Sequence, residues 1–141
     1  PLYIDGTKIS VIRTEEYMTT GSIVHHIYGN AYIEEIYQMF EGNKDKQVDA
    51  PARRTRHVED GAYRKDIQHE FLDANNNVIK QYDLYSYFSY ENNEDVPEFL
   101  IHDVTKDQWY AIESPPLLKY WEITSKLSEN GFKVMVKNTV A

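Results

Sequence analysis

Apolar and polar residues change their spacing along the chain, and the spacing predicts the elements. Leu2–Ile4 reads as a short strand, Asp5-Gly6 as a turn, and Lys8–Arg13 as a second strand in which Ile9 and Val11 alternate with Ser10 and Ile12. The run from Ile23 to Tyr28 is short and bounded by glycines, which favours a strand over a helix. Gly29-Asn30 then either closes a hairpin or caps a helix. Tyr32, Ile33, Ile36, Tyr37 and Phe40 recur at helical spacing, so 31–41 is expected to be a helix, with Gly42 as a left-handed C-cap. Residues 43–56 have no apolar period and contain Pro51, which predicts a long mobile loop.

Beyond that loop the period drops to two. In 66–72, Ile67, His69 and Phe71 alternate with Gln68, Glu70 and Leu72; Asp73-Ala74-Asn75-Asn76-Asn77 makes a turn, and 78–90 runs extended. Along that strand Tyr82, Leu84, Ser86, Phe88 and Tyr90 share one face, expected to be core. Gln81, Asp83, Tyr85, Tyr87 and Ser89 share the other, expected to be polar. Residues 98–105 and 108–113 form a further hairpin around Lys106-Asp107, and 132–137 a last strand. Between them, Ser114 can cap a helix with Pro115 in its first position. Leu117, Tyr120, Trp121, Thr124 and Leu127 continue it to 129, where Asn130-Gly131 ends it. The pattern implies an α+β fold, a mainly antiparallel sheet with helices at about 31–41 and 115–129 packed on one face.

Length and composition narrow the chemistry. A chain of 141 residues with no repeat or linker is expected to form a single domain over 1–141. No cysteine is present, so disulfides, thiolate nucleophiles and Cys-ligated metals are excluded. No apolar run is long enough to span a bilayer, and no signal-like segment opens the chain, which favours an intracellular site or a place in an assembled particle. The formal net charge is −8. Residues 83–113 carry eight of the acidic groups and a single basic one. A chain of that sign repels a phosphate backbone, so direct nucleic-acid binding is disfavoured.

Candidate chemistry is thin. His25 and His26 diverge on either a strand or a helix and cannot chelate one ion together. His57 and Glu59 would share a strand face but lack a third ligand, and His102 and Asp103 are adjacent and divergent. No metal ligands and no cofactor are assigned. His69, between Ile67 and Phe71, reads as a core histidine first and a pocket acid or base second. No serine elbow or phosphate loop occurs, so no catalytic residue is named and an enzyme is less expected than a binding protein. Arg53, Arg54 and Arg56 form a basic island that could clamp an anion or be neutralised by the chain's own acids.

The most distinctive composition is 12 tyrosines beside the acidic third of the chain. Tyrosine offers a rigid ring with a hydroxyl, and acids steer a basic partner. Tyr85, Tyr87, Glu91, Glu94, Asp95 and Glu98 are therefore the expected partner-binding residues. The leading expectation is a non-enzymatic protein-binding module, either a subunit of a larger assembly such as a viral particle or an inhibitor or immunity-type antagonist of a basic protein. The alternative is a small-molecule-binding or hydrolytic domain with a pocket between the C-terminal helix and the sheet, using His69 or a carboxylate.

Overall fold

The computed structural model describes residues 1–44, 46–91, 95–113, 116–129 and 134–137. At the start, β1 (Tyr3–Ile4) and β2 (Thr7–Lys8) pair around Asp5 and Gly6, both at positive φ of 49° and 79°. That is the conformation a two-residue hairpin turn demands. The expected strand Lys8–Arg13 is divided: the Ile9 amide returns to the Leu2 carbonyl, whereas the Ser10 amide reaches the Leu72 carbonyl, so the chain changes sheets there. The next strand, β3 (Val11–Met18), runs five residues past the predicted end and pairs with β4 (Gly21–Ile27). Its second half carries Thr14, Glu15 and Glu16 on both faces, so no apolar alternation marks it.

A helix, α1 (Asn30–Glu41), follows Gly29, whose φ of 101° turns the chain off the sheet. Gly42 is not the left-handed cap that was expected. Its φ is −72° because its amide still bonds the Gln38 carbonyl at 2.8 Å and prolongs the helical path. Glycine is needed there for space, since a Cβ would stand 2.8 Å from the same carbonyl oxygen.

Within 43–56 lie two short strands, β5 (Lys46–Val48) and β6 (Arg54–Thr55). The long hairpin is β7 (Ala62–Leu72) with β8 (Val78–Phe88), its turn held by the Asp73 carboxylate accepting from the Asn75 and Asn77 amides at 2.9 Å. A second hairpin joins β9 (Phe99–Asp103) to β10 (Gln108–Ile112), with Asp107 at φ 51°. Then come α2 (Pro116–Glu129) and β11 (Val134–Lys137). The predicted caps Ser114-Pro115 and Asn130-Gly131 lie outside the described residues. No described helix is long and apolar enough to cross a membrane.

The large sheet has the order β11-β4-β3-β7-β8-β9-β10-β5, every pair antiparallel, with β6 added in parallel beside β7. One face is the main core, as predicted. Ile12, Ile27, Phe71, Tyr82, Leu84 and Ile101 meet Ile33, Ile36 and Phe40 of α1 and Ile123 of α2. Phe40 stacks on Tyr82 with centroids 4.7 Å apart, and Tyr37 meets Phe71 edge-on at 5.6 Å. The molecule is thus α+β, with both helices on the same side of an antiparallel sheet.

The opposite face is not simply polar. At one end Tyr63, Tyr85, Leu100 and Trp109 form a second, smaller core, with Val48, Tyr87 and Val96 packed against it. Phe88 is only half-buried and Tyr90, past the end of β8, is 84% exposed, so the predicted core face stops earlier than the alternation suggests.

Candidate functional site

A break in the neighbours of β7 creates a cleft among the described residues. On one side of β7, β3 pairs as far as Glu16 opposite Ile67, and β6 pairs Arg54 and Thr55 with Tyr63 and Arg64. Lys65 and Asp66 lie in the gap between these partners. On the other side the register with β8 shifts between Lys65 and Ile67, a bulge that leaves Asp66 without an opposite residue. Bulges re-aim side chains in this way and gather near functional sites.

The cleft encloses about 370 Å³. Its walls are Glu16, Tyr17, Met18 and Thr19 from the end of β3, Arg56, His57 and Val58 after β6, Arg64 and Asp66 on β7, and Trp121 on α2. The size falls in the range of small-molecule sites. Met18, Val58 and Trp121 are all exposed and apolar. Two carboxylates and two guanidinium groups, with Tyr17, Thr19 and His57, supply the remainder of the lining.

Asp66 is the unusual member. It is only 7% exposed; its Oδ1 accepts from Arg64 Nε at 3.0 Å, and its Oδ2 is buried with no hydrogen-bond partner. Burial raises its pKa above the ordinary carboxylate value, against the opposing pull of the nearby Ser86 hydroxyl and the Arg64 guanidinium. Ser86 does not complete hydrogen-bond geometry with Oδ2. A buried acceptor left unmade costs about 1–3 kcal/mol, so its persistence needs an explanation. Across the cleft, Glu16 Oε2 accepts from the Trp121 indole at 2.9 Å, which ties α2 to β3. The Arg56 guanidinium lies 5.5 Å from the Tyr17 ring centre, with no carboxylate at ion-pair distance among the described residues. Burial, reinforced by Glu15, raises the Tyr17 phenol, so it remains a neutral donor.

The residues expected from sequence are dispersed. Arg53 is neutralised by Glu59 at 2.8 Å, Arg54 lies over the Trp109 ring at 5.3 Å, and Arg56 alone joins the cleft. Tyr85 is 8% exposed, its ring 5.0 Å from that of Trp109, and burial pushes its phenol up to about 12. It is therefore a packing residue rather than a ring presented to solvent. Tyr87 is half-buried beside Tyr63, and its amide donates to the Glu98 carbonyl at 2.8 Å. Glu91, Asp95 and Glu98 are exposed at this end of the sheet, and Glu94 lies outside the described residues.

The histidines also separate. His25 and His26 point to opposite faces; Nδ1 of His25 meets the Tyr120 hydroxyl at 3.2 Å, which also contacts Thr14 at 3.2 Å. His69 is fully buried between Phe40 and Tyr120, far from solvent and outside the cleft. Burial pushes its pKa down to about 3, and neither ring nitrogen completes a hydrogen bond. His102 stacks on Trp109 at 3.9 Å and contacts Asp107 at 2.9 Å. Among the described residues no three His, Asp or Glu side chains converge as a metal site.

The sequence assigned no function to Asp66, Glu16, Tyr17 or Trp121, the last being read only as an apolar position of the C-terminal helix. The usable signal was Arg64-Lys65-Asp66, three charges in a row inside a strand that otherwise alternates. No protein-family model, no curated protein and no solved structure matches this chain.

Proposed function

We propose that the protein is a small-molecule-binding domain and that its ligand occupies the cleft between Trp121 of α2 and the bulged strand β7. The observation that carries this reading is Asp66, a buried carboxylate with one oxygen unpartnered, lining a cavity of about 370 Å³. A small turn of the Asp66 carboxylate toward the cleft would let a ligand donor supply the missing hydrogen bond, and Met18, Val58 and Trp121 would supply apolar contact. His69 has no part in it, because it is sealed in the main core.

The two indoles make the test direct, since Trp109 is buried beneath Arg54 and Trp121 stands at the cleft. In a screen of polar fragments by two-dimensional NMR, compounds should shift the Trp121 indole resonance and leave that of Trp109 in place. A screen in which no fragment moves the Trp121 resonance overturns the reading.

A second reading, a module that binds another protein, is favoured by one observation: Glu91, Glu98 and Tyr90 stand exposed at the same end of the sheet. Reversing Glu91 and Glu98 to lysine should then weaken capture of a basic partner from the source organism about tenfold, in proportion to the lost steering. Unchanged capture removes this reading and leaves the cleft unaffected.

A further inference from the structure

We propose that the ligand of the cleft is a zwitterion of α-amino-acid type with an apolar side chain, its ammonium group held by Asp66 and Glu16 and its carboxylate by Arg56. The inference rests on the cleft being a small-molecule site. It goes further in that the unsatisfied valences of the lining specify both ends of the ligand.

Three of the four charged side chains are already partly engaged, and what they leave over is informative. Arg64 gives its Nε–H to Asp66 Oδ1 at 3.0 Å and an Nη2–H to the Ser86 hydroxyl at 3.5 Å, which draws it toward β8. Asp66 Oδ2 has no donor. Glu16 uses Oε2 for the Trp121 indole, which leaves its second oxygen able to accept. Two acceptor positions on carboxylates therefore call for a cationic donor with more than one N–H, which an ammonium group provides. A plain amine would meet Arg56, whose guanidinium faces the same cavity over Tyr17 without a carboxylate partner among the described residues. A ligand bearing its own carboxylate converts that repulsion into a charge-assisted bond.

The apolar part follows from the lining. Exposed Met18 and Val58 line the cleft, and the Trp121 ring is held in place by its bond to Glu16. Side chains such as those of leucine, methionine or phenylalanine would cover these residues. The cleft, at about 370 Å³, has room for a ligand of amino-acid size.

The test uses the intact protein and titrates the Trp121 indole resonance with three matched series. These are free leucine and phenylalanine, the corresponding amines without the carboxylate, and the corresponding acids without the amine. The amino acids are expected to bind at least tenfold more tightly than either half. Asp66→Asn, which keeps the bond from Arg64 possible, should weaken the amino acids at least tenfold. Arg56→Gln, at an exposed position, should weaken them while sparing the amines. Circular dichroism spectra identical to the parent show that both variants are folded. If the amines bind as tightly as the amino acids, or if other fragments shift Trp121 and no amino acid does, the zwitterion inference is overturned and the cleft reading stands. If nothing shifts Trp121, both fall together.

Discussion

Two buried side chains with opposite pH behaviour, His69 and Asp66, show what individual residues do here. His69 keeps its place chiefly by shape, wedged edge-on against Phe40 and Tyr120 at 4.7 and 5.4 Å; the Tyr82 and Ile67 backbone lies near its ring, but neither nitrogen completes a hydrogen bond. Replacing an unsatisfied buried group by an apolar one of similar size is expected to stabilise. His69→Leu should therefore unfold at higher urea than the parent at pH 7.5, whereas His69→Ala should lose about 2–5 kcal/mol through the cavity it leaves. The pH dependence has a definite sign. The fold holds His69 neutral down to about 3, against 6.5 for the free side chain. As pH falls from 6.5 toward 3 the unfolded chain takes up a proton that the fold refuses, and stability drops by up to about 1.4 kcal/mol per unit. His69→Leu should flatten that slope; an unaltered slope in urea titrations at pH 7.5, 6 and 5 contradicts the assignment. Asp66 runs the other way. Its raised pKa means that protonation favours the fold, so Asp66→Asn should be neutral or stabilising at pH 7 while ligand binding is lost, as when a site is maintained at the expense of stability.

Elements are joined in this protein by charge as well as by apolar packing. Asp103 at the end of β9 is fully buried and accepts from Lys80 of β8 at 2.6 Å and from Lys44, just past α1, at 3.0 Å. Lys44 also bonds Glu41, which accepts the Tyr82 hydroxyl, and both ammonium groups lie 5.1 Å from the Tyr82 ring centre. Burial by itself would raise the Asp103 carboxyl, but the Lys80 and Lys44 ammoniums and the Lys106 amide outweigh it and hold it below the ordinary value. Asp103→Ala strands two cations and is expected to cost about 3–5 kcal/mol, measured by chemical denaturation. A loss under about 1 kcal/mol would mean that water replaces the carboxylate. The end of α1 gives a second check. Glycine to alanine at a right-handed position ordinarily stabilises a helix. Here the Cβ would crowd the Gln38 carbonyl, so Gly42→Ala should instead lower stability by about 1–3 kcal/mol. A raised melting temperature would show that the helix end relaxes to admit it.

For the whole molecule, the ionisable groups of the main core agree in direction. His69 and His25 are held neutral by burial; despite it, Asp103 is held ionised by lysines and Glu41 by the Tyr82 hydroxyl and Lys44. Protonating any of them favours the unfolded chain, so the melting temperature should fall steadily below pH 6.5, first through the histidines and then through the carboxylates. Among the described carboxylates Asp66, at the cleft, opposes them, because burial raises its pKa. A melting temperature that is flat from pH 7 to 4 would refute this balance. The outer surface contributes little by comparison: Glu91 and Glu98 are exposed, and reversing both to lysine takes the net charge from −8 to −4 while stability should stay within about 0.5 kcal/mol.

The helices and the hairpins β7–β8 and β9–β10 were legible in the sequence because their causes are local, whereas the turn between β3 and β4 was not. A period of 3.6 over Ile33, Ile36 and Phe40, the turn chemistry of Asp73 to Asn77, and the alternation from Ile67 to Phe71 each act within a few residues. Alternation also assigned the main core face correctly. It could not distinguish Tyr85 from Tyr87, since both occupy the same face of β8; Trp109 arriving from β10 buries one, and the other remains half-open. The cleft was equally out of reach. It depends on where β3 stops and β6 begins along β7, and on a bulge that turns Asp66 away from its neighbours. Strand periodicity says which side of a sheet a residue faces, but only the assembled strands decide what covers that side and where they leave a gap.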